Sequence, residues 1–291
     1  MFVSGFSFIR NAIRYDYPIV EAIQSVLPLC DEFVVAVGNS DDDTLALIRA
    51  IPSDKIRIIQ TVWDDSLREG GRVLAIETDK ALAAISPRAD WAMYIQGDEV
   101  LHEASIPAVR QAMERYVADA RVEGLLFNYR HFYGSYRYVG DSRRWYRHEI
   151  RVVRNTGRVF AYRDAQGFRK RPNDKLNVKP VDAWIHHYGW VKSLEHQRRK
   201  FAYFYRFWNS DERLKAVQQQ AQTFAFEKHI DSLAEFTGTH PAVMQPRIAG
   251  ANLPFTFDTR QRNYSPKVWL LSLIEQLTGW RIGEYKNYRI I

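Results

Sequence analysis

Short apolar runs, each closed by glycine or polar residues, alternate with segments in which apolar residues recur every three or four positions. Phe2, Phe6 and Phe8 alternate with small residues, which predicts a first strand. Pro18 stands near a helix start, where a missing N–H costs little, and Ile19, Ala22, Ile23, Val26 and Leu27 supply that helix's stripe. Residues 33–37 are a continuous apolar run, the pattern of a parallel strand covered on both faces. A helix carrying Leu45, Leu47 and Ile48 follows, with Ser40 or an early aspartate as its cap. Residues 55–62 predict a third strand, and Val73, Leu74, Ile76, Ala81, Leu82 and Ile85 a third helix. Residues 91–96 predict a fourth strand, and Ser105 and Pro107 open a helix running towards Val117.

Four strand–helix alternations predict an α/β fold, with a mostly parallel sheet between layers of helices. Ligands of such sheets bind outside the carboxyl ends of the strands. The loops holding Asp41, Asp42 and Asp43, and Asp98 and Glu99, are therefore expected on one edge.

Beyond residue 120 the pattern changes. Residues 124–132 predict a strand, and 133–146 a loop rich in aromatic and basic side chains. Residues 149–154 alternate as a half-exposed strand, with 158–163 expected to pair with it through the Asn155-Thr156-Gly157 turn. Asp164-Ala165-Gln166-Gly167 opens a further loop. On the extended segment 183–190, His186 and His187 point to opposite faces, so one of them at most faces a given site. Residues 193–208 predict a helix whose Arg198, Arg199 and Lys200 make a solvated basic face. Residues 1–205 are expected as the main domain and 206–291 as a C-terminal helical extension packed on it. Residues 267–277 are apolar enough to pack on the body, while Trp269 and the basic flanks also suit peripheral contact with a membrane surface.

Hydrophobic residues make up 46% of the 291 and charged residues 26%, which excludes a disordered chain. The 14% aromatic content suits a site that stacks bases or sugars. A net charge of +7 favours anionic partners. Cys30 is the single cysteine, so neither a disulfide framework nor a cysteine zinc cluster can form. No apolar run approaches the ~20 residues of a membrane-spanning helix. The N-terminus lacks a basic leader and cleavage pattern, so the expected location is the cytoplasm, with peripheral contact at the inner face of the membrane.

Four motifs in order carry a resemblance: Ser7-Phe8-Ile9-Arg10-Asn11; Asp31-Glu32-Phe33-Val34-Val35 with Asn39-Ser40-Asp41-Asp42-Asp43-Thr44; Gln96-Gly97-Asp98-Glu99; and Ile185-His186-His187-Tyr188. Over about residues 1–205 the chain resembles family 2 glycosyltransferases of the GT-A (Rossmann-like) fold. The resemblance implies transfer of a sugar, with inversion, from a nucleotide-diphosphate sugar to a hydroxyl of a glycan or glycolipid; no nucleic acid is implied. It implies a Mn²⁺ or Mg²⁺ ion at Asp98 and Glu99, with His187 completing the sphere. Donor contacts are implied for Phe8, Arg10, Asn11, Asn39, Ser40, Asp42, Arg68, Arg72, Gln96 and Asp98. Asp164 is the candidate catalytic base with Glu149 as the alternative, and Arg143, Arg144 and Trp145 are candidates for the acceptor. The chain departs from the family in lacking an acid near Val37 and Gly38, in starting the metal motif with Gln96, and in having Arg163-Asp164-Ala165-Gln166 near the place where relatives often have His-Glu, with Asp164 as the nearest acid.

Two other classes stay open on the residues. A nucleotidyltransferase shares sheet, metal and nucleotide, but Ser4-Gly5-Phe6 is thin for a glycine-rich phosphate loop. A nucleic-acid-binding protein would suit the charge and the basic–aromatic interleaving, without any recognised binding motif.

Overall fold

The computed structural model describes residues 1–209 and 211–291. Strands β1 (Val3–Ile9), β2 (Glu32–Gly38), β3 (Ile56–Thr61) and β4 (Trp91–Tyr94) lie side by side in the order β3-β2-β1-β4. All are parallel. Their connections carry helices α1 (Ile19–Val26), α2 (Thr44–Arg49) and α3 (Arg72–Ala83). Successive residues of a strand face opposite ways, and β2 divides accordingly. Phe33, Val35 and Val37 pack with Ile19, Ile23 and Val26 of α1, while Val34 and Ala36 pack with Val73, Leu74 and Ala81 of α3. This double burial accounts for the continuous apolar run, and the α/β fold with a parallel sheet between helices is the one expected.

The chain continues through β5 (Glu99–Leu101), α4 (Ile106–Tyr116), β6 (Gly124–Tyr133), β7 (Ser135–Gly140), β8 (His148–Arg154), β9 (Val159–Tyr162), β10 (Gly167–Lys170) and β11 (Asp174–Trp190). Helices α5 (Leu194–Phe204) and α6 (Asp211–Gln222) follow, then β12 (Leu233–Glu235), α7 (Gln245–Ala249), α8 (Pro266–Thr278) and β13 (Tyr288–Ile290). Strand β8 is antiparallel to both β4 and β6, and β11 runs parallel to β6. Among the described residues the thirteen strands form one sheet.

Three expectations change. The aromatic segment 133–146 is not all loop, because β7 returns antiparallel along β6. The segment 158–163 does not pair with 149–154. Strand β8 has both edges taken by β4 and β6, so β9 pairs onward with β10, and Asp164 falls in their hairpin turn. The C-terminal segment is not purely helical: β12 joins β7 and β13 joins β11. An early aspartate, Asp43, stands at the cap position of α2 without a side-chain capping bond; Asp42 Oδ1, just before it, accepts the Thr44 N–H at 3.1 Å, and Ser40 Oγ accepts from Asn11 N.

Candidate functional site

Strands β1 and β4 both end at one cleft, as a parallel sheet requires of neighbouring strands. Strand β1 delivers Phe8, Ile9 and Arg10, and β4 delivers Gln96, Gly97 and Asp98. The β9–β10 turn adds Asp164 and Gln166, and β11 adds His187 and Trp190. Helix α5 and the turn after it close the far side with Gln197, Lys200, Phe201, Phe204 and Trp208. The cavity so enclosed measures about 620 Å³, within the range of small-molecule sites.

Asp98 sits in a cluster of positive and ionisable groups. Its Oδ2 lies 3.2 Å from Lys200 Nζ and 3.7 Å from His187 Nε2. Burial by itself would raise the carboxyl, but Lys200 and then His187 overcome it and hold the group well below the usual carboxylate range. Tyr188 N donates to the Asp98 carbonyl at 2.7 Å and fixes the loop against β11. Gly189 is required beside it, since a Cβ there would stand 2.6 Å from Asp98 Oδ2 and 2.7 Å from the His187 ring. Lys200 also donates to the Gly189 carbonyl at 3.0 Å and stands over the Tyr17 ring. A second lysine, Lys192, is buried behind it and donates to the Tyr15 and Asp16 carbonyls at 2.6 and 3.2 Å. Burial, reinforced by Lys200, pushes its ammonium well down. His186 points the other way, to Arg130 Nη1 at 3.3 Å, as adjacent residues of a strand must.

Glu99 has a different environment from its neighbour. Its side chain is wholly buried, accepting from Arg151 Nε at 2.8 Å and Nη2 at 2.7 Å, from Tyr129 Oη at 2.6 Å and from Gln96 N at 3.1 Å. Both oxygens are committed inside the protein, so the expected role as a metal ligand does not fit its position. The reason is the register of β5, which turns Glu99 towards β6 and β8 while Asp98 stays in the loop.

Asp164 occupies the β9–β10 turn between two residues in the left-handed region, Arg163 at φ 57° and Ala165 at φ 64°. Side chains with a Cβ rarely adopt this conformation, and each instance costs on the order of 1–3 kcal/mol. The turn is held from the sheet by Gln96 Nε2, which donates to the Ala165 carbonyl at 3.1 Å. Burial raises the Asp164 carboxyl, opposed by backbone N–H groups of the turn. Glu149, the alternative base, does not line the cavity. It is buried behind the hairpin, with Oε2 2.9 Å from the place a Gly167 Cβ would occupy. Burial, with Glu99 and Asp164 nearby, pushes it up to about 8, so it is largely protonated at neutral pH.

On the opposite side, Arg10 donates to Asp65 at 2.8 Å and to the Asn39 carbonyl at 2.9 Å, and its guanidinium stands over Trp63 and Tyr203. Arg206 Nη2 reaches the same Asp65 oxygen at 2.6 Å. These planar groups border the aromatic end of the cleft.

Phe8, Arg10, Gln96, Asp98, Asp164 and His187 are thus the expected residues that meet at one cavity. Others serve the walls. Asn39 Oδ1 accepts from Trp63 N, Ser40 Oγ from Asn11 N, and Asp42 from Arg14 N, so these loop residues brace one another. Asn11 Oδ1 accepts from Asp41 N. Arg68 Nε donates to the Asp65 carbonyl at 3.4 Å. Arg72 lines an adjoining cavity of about 800 Å³ that shares Asp164, Gln166 and Trp208 with the first. The acceptor candidates lie elsewhere. Arg143 is bound to Glu275, Arg144 to the His229 carbonyl, and Trp145 is buried against His131. Strand β7 turns this segment onto the C-terminal helices and away from the cleft. Sequence reading missed Lys200, Lys192, Tyr17, Tyr203 and Asp65. One signal was present: Gln197, Lys200, Phe201, Phe204 and Trp208 recur at helical spacing, and together they face the cavity.

No protein-family model matches the chain, and no curated protein matches it. Solved structures similar to it include S. aureus TarS, with a TM-score of 0.41 and 12% identity over 78% of this chain and 45% of that one. Glucosyl-3-phosphoglycerate synthase from Mycobacterium tuberculosis, in complex with Mn²⁺, uridine diphosphate and phosphoglyceric acid, has a TM-score of 0.29 and 25% identity over 45% of this chain and 43% of that one. The 4-diphosphocytidyl-2C-methyl-D-erythritolsynthase of Anaerococcus prevotii has a TM-score of 0.39 and 12% identity over 76% of this chain and 96% of that one. The chain spans less than half the length of the TarS and mycobacterial synthase chains.

Proposed function

We propose that this chain is a glycosyltransferase that moves a sugar from a nucleotide-diphosphate sugar to a hydroxyl of a glycan or glycolipid. The observation that carries this reading is a single cleft holding the Asp98–Lys200–His187 cluster together with a carboxylate, Asp164, on a strained turn. The aromatic end, with Phe8, Trp63 and Tyr203 beside Arg10, suits a nucleoside. Lys200 suits the diphosphate, to which an ammonium donates as a point charge.

In the proposed reaction the acceptor oxygen attacks the anomeric carbon as the bond from that carbon to the diphosphate oxygen breaks. The acceptor proton passes to Asp164, and the electron pair leaves with the nucleoside diphosphate. A buried carboxylate of raised pKa is the stronger base for this transfer. Attack opposite the leaving group inverts the anomeric centre.

Asp98 and His187 are the residues that would hold a divalent cation. Among the described residues no group of three His, Cys, Asp or Glu could hold a metal. A hard cation that keeps waters and substrate phosphates needs only one or two protein ligands, so this pair fits. A bound Mg²⁺ or Mn²⁺ supplies Lewis-acid charge to the departing diphosphate.

The test is a thermal-shift panel of nucleoside diphosphates and nucleotide sugars, with and without Mn²⁺. A ligand of the native state raises its melting temperature by mass action. The expected result is a shift for one base, enlarged by metal and lost in Asp98→Asn. A panel in which no nucleotide shifts the protein overturns the reading, and release of pyrophosphate in place of nucleoside diphosphate redirects it to nucleotidyl transfer.

A further inference from the structure

Helix α8 is specified locally at both ends. Ser265 Oγ accepts from Val268 N at 3.3 Å, and Gly279 closes the helix in the left-handed conformation at φ 70°. Yet none of its 13 residues is buried. Its body-facing side, with Val268, Leu271, Ser272 and Glu275 half-buried, is held where Glu275 binds Arg143 and lies 3.6 Å from Arg147, and where the Leu271 carbonyl accepts from Arg143. The opposite side is apolar. Trp269, Leu270, Leu273 and Leu277 fall within an arc of about 100°. With Trp280 just beyond the cap, they are between 37% and 77% exposed. The sequence allowed this helix either to pack on the body or to touch a membrane surface; it packs through one side and leaves this stripe uncovered. Side chains of this size in one continuous exposed stripe mark a docking surface.

We propose that the outer face of α8 docks in the plane of an anionic lipid bilayer. Two observations select that occupant. The helix is about 20 Å long, too short for the ~30 Å hydrocarbon core, so it can lie on a membrane but not cross it. Charge decides between a bilayer and a second copy of the chain. Residues 260–291 hold six basic and two acidic side chains; Arg260, Arg262, Arg281 and Lys286 lie beside Asp258, Asp141, Glu275 and Glu284, which leaves Lys267 exposed on the helix itself and Arg289 exposed beyond it. A two-fold contact through this face would set like charges against like, whereas anionic headgroups neutralise them. Tryptophan suits the headgroup level, and the leucines reach the acyl boundary. The proposal stands on this face alone, and vesicle binding is read with no nucleotide or acceptor present, so it can fail or hold separately from the transferase reading.

The experiment is co-sedimentation of the full chain with vesicles of phosphatidylcholine mixed with phosphatidylglycerol, and with vesicles of phosphatidylcholine alone. The expected result is binding to the anionic vesicles that weakens with salt, together with much weaker binding to the neutral ones. Trp269→Ser/Leu273→Ser/Leu277→Ser, all solvent-facing, should lower the partition about tenfold or more at an unchanged circular dichroism spectrum. Should that variant fail to fold, Lys267→Glu/Arg289→Glu carries the test and should lower binding to anionic vesicles only. No sedimentation with anionic vesicles, equal binding to neutral ones, or equal binding by the variants overturns the proposal. So does a dimer seen by light scattering that the serine variant dissolves, since a second copy would then be the occupant.

Discussion

Replacing Glu99 by glutamine separates a structural role for this carboxylate from a metal-binding one. The substitution keeps shape and one acceptor oxygen, but it leaves the Arg151 guanidinium fully buried without its counter-charge. The rings of Tyr94 and Tyr129, each 5.2 Å from the guanidinium carbon, offer only weak compensation. Removing one partner of a buried pair costs about 3–5 kcal/mol. Set against a total stability of ~5–15 kcal/mol, that is a large loss. At roughly 2–4 °C per kcal/mol for a large domain, the melting temperature should fall by about 6 °C or more. Urea and thermal unfolding of both proteins measure it, and Glu99→Leu/Arg151→Met should regain much of the loss because no charge stays buried alone. A Glu99→Gln protein within about 1 kcal/mol of wild type that has lost its metal-dependent nucleotide shift would refute this reasoning and return Glu99 to the metal.

Other substitutions test the cleft and its supports. Asp164→Asn should lower kcat by about 10²–10⁴ while leaving the nucleotide-induced thermal shift intact; an unchanged kcat removes Asp164 from the reaction. In the wild type the rate should rise with pH through a carboxyl pKa above the ordinary aspartate value, because the base must be ionised. A pH-independent rate contradicts that assignment. Lys200→Met should weaken diphosphate binding by about tenfold through loss of one charge-assisted contact, and equal affinity in calorimetry would show that Lys200 serves only to hold Asp98. Burial pushes the Glu149 carboxyl up to about 8 in the folded protein, against 4.5 for an ordinary glutamate. Between those values the unfolded chain is ionised and the native one is not, so stability falls as pH rises across this window. The fall is on the order of 5 kcal/mol at most. Glu149→Gln should match wild type near pH 4 and exceed it at pH 8, and parallel stability curves for the two proteins would exclude a buried neutral acid.

The parallel half was legible because each of its elements is set by local pattern. A strand covered on both faces must be apolar throughout, and the β2 run is. That Phe8, Arg10, Gln96, Asp98 and His187 meet at one cavity was legible for a related reason: each lies at or just beyond a strand's carboxyl end, or on a face fixed by two-residue alternation. The failures share a cause as well. Glu99 and Asp98 are adjacent and chemically alike, and which of them faces Arg151 depends on the register between β5 and β11. Arg143, Arg144 and Trp145 read as a ligand-binding loop until β7 turns them onto α8 and the C-terminal segment.

By itself the sequence determined the alternation of strands and helices, the sheet edge where a site would form, and a short set of carboxylates and basic groups able to work there. Those features follow from side-chain periodicity and composition, which are local. Only the tertiary structure decided which β-edges were free to pair, and so put Asp164 in a strained hairpin turn. It also brought Lys200 from the helix after β11 to within 3.2 Å of Asp98, 102 residues earlier in the chain. It left the outer apolar face of α8 uncovered, where the sequence allowed both packing on the body and contact with a membrane surface. Contacts of this kind depend on how distant segments compete for the same edge or surface, and that competition is settled only when the whole chain packs.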